Sequence, residues 1–321
     1  MTSIAISSFH EDIHASVIAD ELRRHFGASV SIFGTDRFGR DTKGISWLQS
    51  AQEQPFATST DGIGVDVHSL DVMWWRRTAS GWLPENDEKE LSPADREFIY
   101  LNSRMAWSGL LATEFRGIWV DNPTHIDLAA NKIIQHCVAR QAGFRIPQTL
   151  VSQDPDEIRA FYDTQNGEVI VKPLKQVKSV PALTKRVSKE LLTNEASMKL
   201  CPVIYQELIP GSKHIRAHVF GDQVLAALLE SDDLDWRPDL RIPCRQFVLP
   251  GQVQANLKNV LRQLNLSMGI FDLKLTDEGE YVWIEVNPQG QFLFIEGMCG
   301  LPLTRAMAAF LYHQATKNQP S

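Results

Sequence analysis

The stretch YVWIEVNPQG, Tyr281 to Gly290, reads as a strand that ends in a carboxylate and a carboxamide two residues apart, just before a proline. Upstream, IFDLKL (Ile270 to Leu275) leads through TDEGE into it. A hairpin turning at Glu278-Gly279 pairs residues whose numbers add to 557, which sets Asp272 opposite Glu285. Side chains alternate along a strand, so Asn287 shares the face of Glu285. Three oxygen donors then converge at one end of the hairpin, and two facing carboxylates repel unless a cation or a proton lies between them. Oxygen-only ligation with few protein donors suits Mg²⁺, which keeps waters and takes further ligands from phosphates. The plain alternative is a solvated hairpin end carrying unremarkable acids.

Working outward, phosphate beside such an ion calls for basic side chains. Lys172 leaves the strand in VIVKPL, and the segment Lys172 to Lys189 holds six basic residues and no acidic one. Lys132 is the other candidate cation; Lys175, Lys178 and Lys185 fit a phosphate lid and a solvated basic loop equally well. In VIYQELI…HIRAHVF, Arg216 sits inside an apolar strand, where a guanidinium needs an acid or a phosphoryl group. Asp235 and Arg237 flank Trp236; on extended backbone both point one way, with Arg237 as a fork for a carboxylate and Asp235 orienting it. The hairpin VFGDQVLAALLESDD reads either as a peptide-docking edge or as a core strand followed by a solvated acidic loop.

The N-terminal third alternates strand and helix. SIAISS, SVSIFG and LDVMWWRR are strands, and a helix over Asp12 to Phe26 closes at Gly27; together they imply a small, mostly parallel sheet. No G-x-G-x-x-G follows the first strand, which excludes the usual dinucleotide fingerprint. A further helix spans about Pro93 to Leu111. After GIWVDNP, one continuous helix from Pro123 to Gly143 is expected, burying Ile126, Ala129, Ala130, Ile133, Ile134, Cys137 and Val138 and leaving Lys132 off that stripe. Asp154-Pro155 opens the next helix.

The 321 residues exceed one simple core, and 43% hydrophobic with 22% charged is the balance of a soluble globular chain. A net charge of −7 argues against nucleic acid as a partner. There is no signal-peptide pattern and no apolar run long enough to cross a membrane, so a cytoplasmic location and no membrane partner are expected. Four cysteines without metal-ligand spacing are expected to be reduced core thiols.

In their order and spacing, Lys132, the V-x-K-P strand at Lys172, Q-E-L-I at Gln206, I-R at Arg216, Asp272 and E-V-N-P at Glu285 resemble the ATP-grasp ligases. WWRRT in the N-terminal part, D-W-R at Asp235 and N-P-Q-G-Q-F are similar to the graspetide (microviridin-type) synthetases, which macrocyclise ribosomal peptides. The resemblance runs from Ile4 to about Tyr312. It implies an α/β fold, α+β in the C-terminal part: a pre-ATP-grasp domain over 1–121, a central α/β subdomain over 122–201, a C-terminal subdomain over 202–316, and a tail over 317–321. It further implies that Lys132 and Lys172 contact ATP phosphates and that Gln206, Glu207, Leu208 and Ile209 form the adenine-reading hinge. Asp272, Glu285 and Asn287 would carry Mg²⁺. Arg216 would hold the transferring phosphoryl group, and Asp235 with Arg237 would position an acidic side chain of the peptide. The implied cofactors are ATP and Mg²⁺, and the implied partner is a precursor peptide of leader plus core; a homodimer is compatible.

The implied activity is ATP-dependent activation of Glu or Asp side chains as acyl phosphates, followed by ester or amide ring closure. Two alternatives stand beside it: a ligase adding free amino acids to a peptide or small acid, as ribosomal-protein glutamate ligases do, and an ATP- or peptide-binding protein with little catalysis. The second follows from a departure: the lid segment KPLKQVKSVPALTKRV contains no glycine. His214 stands where the family often has Asp, and it carries no assigned role.

Overall fold

The computed structural model describes residues 2–38, 44–48, 56–77, 91–175 and 184–317. They form two compact units, 1–126 with 266–268 and 302–321, and 127–265 with 269–301.

The first unit opens with β1 (Ser3–Ser8), α1 (Ile13–Phe26) and β2 (Ser29–Gly34). Three short strands follow, β3 (Ile45–Ser46), β4 (Phe56–Thr58) and β5 (Gly64–Asp66), then β6 (Val72–Trp75), α2 (Pro93–Glu114) and β7 (Ile118–Val120). The sheet β2-β1-β6-β7 is parallel throughout, as the strand–helix rhythm predicts. The antiparallel β3-β4-β5 sheet has no counterpart in the sequence reading; its strands are too short to carry a period. Asp12 caps α1 by accepting from the His14 amide, and Gly27 ends it at φ 63, a left-handed conformation that favours glycine. The core gathers Phe33, Met73, Trp75, Trp107 and Leu111, and the Trp107 indole donates to Ser7 Oγ at 2.8 Å.

In place of one helix after Asn122 there are two, α3 (Pro123–Ala129) and α4 (Lys132–Gln141). Asn131 interrupts the path: its side-chain oxygen accepts from the amides of Ile133 and Ile134, capping a new helix and resetting its phase. The expected stripe fails accordingly. Ile133 and Cys137 are exposed, whereas Gln135 and Ala139 are buried. The cysteines depart from expectation too: all four are free, but Cys137 and Cys201 are exposed rather than in the core.

The second unit continues with β8 (Thr149–Ser152), α5 (Pro155–Thr164), β9 (Val169–Lys172), β10 (Lys185–Arg186), α6 (Lys189–Thr193), α7 (Glu195–Met198) and β11 (Val203–Glu207). These strands form an antiparallel sheet in the order β10-β9-β11-β8. A second sheet, β14-β13-β12-β15-β16, is built from β12 (Lys213–Phe220), β13 (Gln223–Glu230), β14 (Cys244–Phe247), β15 (Met268–Leu275) and β16 (Tyr281–Asn287). β13 is paired on both sides from Ala226 to Leu229, so that stretch is sheet interior rather than an open docking edge. Helices α8 (Gly251–Gln263) and α9 (Leu293–Cys299) complete the unit. The last helix, α10 (Leu303–Thr316), belongs to the first unit and lies against α1, with Arg305 bonded to Glu21 at 2.8 Å and the Tyr312 ring tilted against Phe26, centroids 5.2 Å apart. No helix among the described residues is long and apolar enough to cross a membrane.

β16 is the last strand of its sheet, and its outer edge is closed by side chains and loop backbone. Buried Gln135 donates from Nε2 to the Val286 carbonyl at 2.8 Å, and its Oε1 accepts the Val286 amide at 3.0 Å. The Arg145 carbonyl accepts the Trp283 amide at 2.9 Å. Gln135→Leu keeps the volume but strands both Val286 groups, at about 1–3 kcal/mol for each unpaired group. We expect a lower urea midpoint for Gln135→Leu and no change for the exposed Gln141→Leu, read by equilibrium denaturation.

Candidate active site

The two sheets of the second unit face a shared cavity lined by Lys132, Lys172, Gln206, Asp235, Arg237, Asp272 and Glu285, together with Glu207, Leu208 and Ile209. Arg216 and Asn287 reach it from behind, through contacts with Asp272 and Glu285. Every candidate residue therefore belongs to one constellation.

The hairpin reading holds where it matters. Asp272 pairs with Glu285 and Ile270 with Asn287, both sums of 557. Beyond Asp272 the register shifts, so that Leu273 pairs with Trp283 and Leu275 with Tyr281. The bulge leaves Ile284 without an opposite number, and Ile284 and Glu285, though consecutive, both line the cavity. Gly279, at φ 84, takes the turn's left-handed position.

Each carboxylate is held by a cation. Lys132 Nζ lies 2.9 Å from Glu285 Oε2, because the Asn131 cap starts α4 with Lys132 in its first turn and the Gln135 clamp ties that helix to β16. Arg216 Nη1 donates to both oxygens of Asp272, at 2.7 and 3.0 Å, and its Nη2 donates to the Gln291 carbonyl at 2.8 Å. The guanidinium also sits 5.4 Å from the Phe294 ring and 5.9 Å from Trp236, the residue between Asp235 and Arg237. Asn287 Nδ2 donates to Glu285 Oε1 at 3.1 Å. Arg237 grips Asp235 through Nε at 2.7 Å and Nη2 at 2.5 Å, the orienting role assigned to that carboxylate.

The environment drives the two facing acids apart. Burial works against the Glu285 charge, but the Lys132 ammonium and its hydrogen bond, with Asn287 and Lys172 behind them, hold the carboxyl down at about 2. Burial raises Asp272, and the Glu285 charge adds to that, against the pull of Arg216. Asp235 is lowered: burial opposes its charge, and Arg237 overcomes it. Arg237 is raised by the hydrogen bonds to Asp235.

Lys172 is 6% exposed and donates to Gln206 Oε1 at 2.8 Å; Gln206 in turn donates to Thr149 Oγ1 at 2.8 Å. The Gln206 side chain thus positions Lys172. Glu207 turns its carboxylate to Arg145 and the Gln148 amide, bracing the segment that runs on to Leu208 and Ile209. Of the basic residues after Lys172, Lys175 and Lys185 are exposed, and Lys178 lies outside the described residues.

Three contributors escaped the sequence reading. Gln135 is hidden because it falls off the assumed apolar stripe, where a glutamine reads as solvent-facing; the Asn131 cap ahead of Lys132 could have revealed it. His136 is pushed down to about 4 by burial and then by Lys172 and Lys132. Lys274, two residues beyond Asp272, lines the cavity 3.1 Å from His214 Nε2. Burial lowers Lys274 to about 8; burial and then Lys274 lower His214 to about 4, so the neutral imidazole accepts from the ammonium.

Among the described residues no group of three His, Cys, Asp or Glu side chains gathers as a metal site. The donors are two carboxylates and the Asn287 carboxamide, whose Oδ1 would serve once the amide turns from donating its Nδ2 to Glu285. That set fits a hard cation completing its shell with water and phosphate oxygens.

No family model and no curated protein matches the chain by sequence. Solved structures do. Macrocyclase MdnC from Microcystis aeruginosa MRC, bound with precursor peptide MdnA, is 26% identical over 97% of this chain and 99% of its own, with a TM-score of 0.86. Macrocyclase MdnB from the same organism is also 26% identical over the same shares, with a TM-score of 0.80. The ATP-grasp ligase PsnB, complexed with a phosphomimetic variant of a minimal precursor, Mg and ADP, is 20% identical over 98% of this chain and 99% of its own, with a TM-score of 0.76. The chain has the fold of the ATP-grasp ligases. Within that fold it is similar to the macrocyclases MdnC and MdnB.

Lys172 yields a pH test. Burial, then Lys132, push its ammonium down to about 8 from 10.5, while Glu285 pulls the other way. Between those values the folded chain has released a proton that the unfolded chain keeps, so this group's contribution to stability rises with pH across that window. An anion beside Lys172 reverses the shift. Tripolyphosphate binding at pH 8.5 should therefore take up protons, and binding should weaken as pH rises above about 8. Calorimetry in buffers of different ionisation enthalpy should show this uptake reduced in Lys172→Met.

Proposed function

We propose that the chain is an ADP-forming ligase that activates a Glu or Asp side chain of a ribosomal precursor peptide and closes an ester or amide ring within it. The observation that carries this reading is the pairing of cation and acid in one buried cavity, Lys132 on Glu285 and Arg216 on Asp272, with Lys172 and Arg237 beside them. Four cations and three carboxylates (Asp235, Asp272, Glu285) give this set a formal charge of +1, suited to a magnesium–nucleotide complex with net negative charge.

Asp272, Glu285 and the Asn287 carboxamide would hold Mg²⁺, which when bound neutralises phosphate charge and orients the nucleotide. Lys132 and Arg216, released from the acids, would turn to the phosphate oxygens. Lys172, fixed by Gln206, would face the same oxygens. The segment from Gln206 to Ile209 would receive the adenine. The Arg237 fork, aligned by Asp235, would hold the peptide carboxylate. That carboxylate attacks the γ-phosphorus of ATP and ADP leaves; a Ser or Thr hydroxyl or a Lys amine then attacks the acyl carbon and phosphate leaves. Per ring, the peptide loses one water. Arg216 and Lys172 offset charge on the group in transfer, the kind of preorganised stabilisation that lowers such barriers most. Asp235, locked on Arg237 and lowered in pKa, acts by positioning rather than as a strong base.

Incubation with Mg-ATP and the precursor encoded beside the gene should give peptide lighter by 18 Da per ring (about one water; the chemistry of dehydration sets the figure) with matching ADP release. Arg216→Ala should lower kcat by about 100-fold or more, the scale for losing one preorganised charge partner. A peptide heavier by amino-acid increments would assign the chain to free amino-acid ligation instead. Nucleotide binding without ADP release would refute ligase activity on that peptide.

A further inference from the structure

Two cross-strand pairs join β12 to β15, which are neighbours in their sheet: Arg216 reaches Asp272 at 2.7 Å, and Lys274 reaches His214 at 3.1 Å. The numbers step by two in opposite directions along the two strands. The pairs therefore share one face and lie one pleat, about 7 Å, apart. The first pair belongs to the acidic end of the cavity. The second lines the cavity as well, in company with Leu208, Ile209 and Leu234. A nucleotide with its phosphates at Asp272 and its base on the segment from Gln206 to Ile209 brings its sugar to Lys274 and His214.

That end of the cavity presents a donor. His214 accepts the Lys274 ammonium on Nε2, and the ring's hydrogen bond to the Ser231 backbone fixes Nδ1 as the protonated nitrogen. The ring takes one of three ammonium N–H groups. Among the described residues Lys274 has no carboxylate at ion-pair distance, and Asp232 acts on it from farther off. Asp235 and Asp272, the other acids of the cavity wall nearby, are engaged by Arg237 and Arg216. Lys274 is only 8% exposed, so its two remaining N–H groups are left for a molecule in the cavity. A sugar hydroxyl arriving here meets a donor, whereas an acid at position 214 would offer it an acceptor.

We infer that Lys274, steered by His214, is the specificity-determining residue for the nucleotide's sugar: it donates to the ribose hydroxyl oxygens and so selects ribonucleotides over deoxyribonucleotides. The inference rests on the nucleotide binding of the proposed function and adds to it how the sugar is read. A buried ammonium that loses its acceptor keeps its desolvation cost uncompensated, so one missing hydroxyl oxygen weakens binding sharply. His214 acts through Lys274, as a positioning residue, by holding the ammonium at one angle.

Calorimetric titration of the full chain with the magnesium complexes of ADP, 2′-deoxy-ADP and 3′-deoxy-ADP measures this without turnover. The wild-type chain should bind ADP at least about tenfold more tightly than one of the deoxy forms, the scale of a hydrogen bond to a charged group. Lys274→Met should bring that ratio to within about twofold of unity, the residue of the effect once the charged donor is gone. His214→Phe should lower the ratio too, and serves as the test if Lys274→Met does not fold; His214→Gln, which keeps an acceptor, should restore it. Lys213→Met removes a neighbouring cation that is bonded to Asp277 instead, and should leave the ratio unchanged. Equal affinity of the wild-type chain for all three nucleotides overturns the inference. So does a Lys274→Met chain that loses affinity for all three alike, which would put the ammonium on phosphate rather than sugar. A chain that binds no nucleotide overturns the proposed function as well, whereas binding without sugar selectivity overturns this inference alone.

Discussion

Two acids facing each other inside a protein cannot both keep their charge without a cation between or beside them. Asp272 and Glu285 meet this constraint with Arg216 and Lys132, at 2.7 and 2.9 Å. Leaving either acid bare would be costly, since an unpaired buried charge is among the most destabilising features a fold can carry. The same four side chains are what a metal-bound polyphosphate would need, with the partners exchanged: acids to the metal, bases to the phosphate. The arrangement satisfies the folded chain as it stands, and the proposed function exchanges these partners when nucleotide binds.

The scaffold around the site is built to keep that pairing in place. Glu285 stands on the last strand of its sheet, where a strand is ordinarily least restrained. Gln135 fastens Val286 on both its amide and its carbonyl, and the Arg145 carbonyl holds Trp283. Lys132 and Gln135, three residues apart on α4, thus fix the acid's side chain and the backbone next to it in one stroke. The bulge after Asp272 brings Ile284 into the cavity with Glu285, placing an apolar wall beside the charged end.

Much of this was legible in the sequence. Alternation along two strands and one turn sufficed to place Asp272 against Glu285, since a hairpin's register is local. The parallel sheet of the first unit followed from strand–helix rhythm, and Arg216 drew notice as a charge among apolar neighbours. What escaped had a nonlocal cause. The break at Asn131 depends on a single cap, and a helix assumed to be continuous assigned Cys137 to the core and hid Gln135. Lys274 and His214 are adjacent only because β12 and β15 pair, which neither strand announces. The two-residue strand β3 is too short to offer an alternation to read.

The account rests on the exchange of partners at Asp272 and Glu285. A crystal structure of the chain with Mg²⁺ and a non-hydrolysable ATP analogue tests it most directly. It should show the metal on Asp272, Glu285 and Asn287, with Lys132 and Arg216 turned from the acids to phosphate oxygens. A bound nucleotide that leaves the Lys132–Glu285 and Arg216–Asp272 pairs intact, with the metal elsewhere, would contradict it.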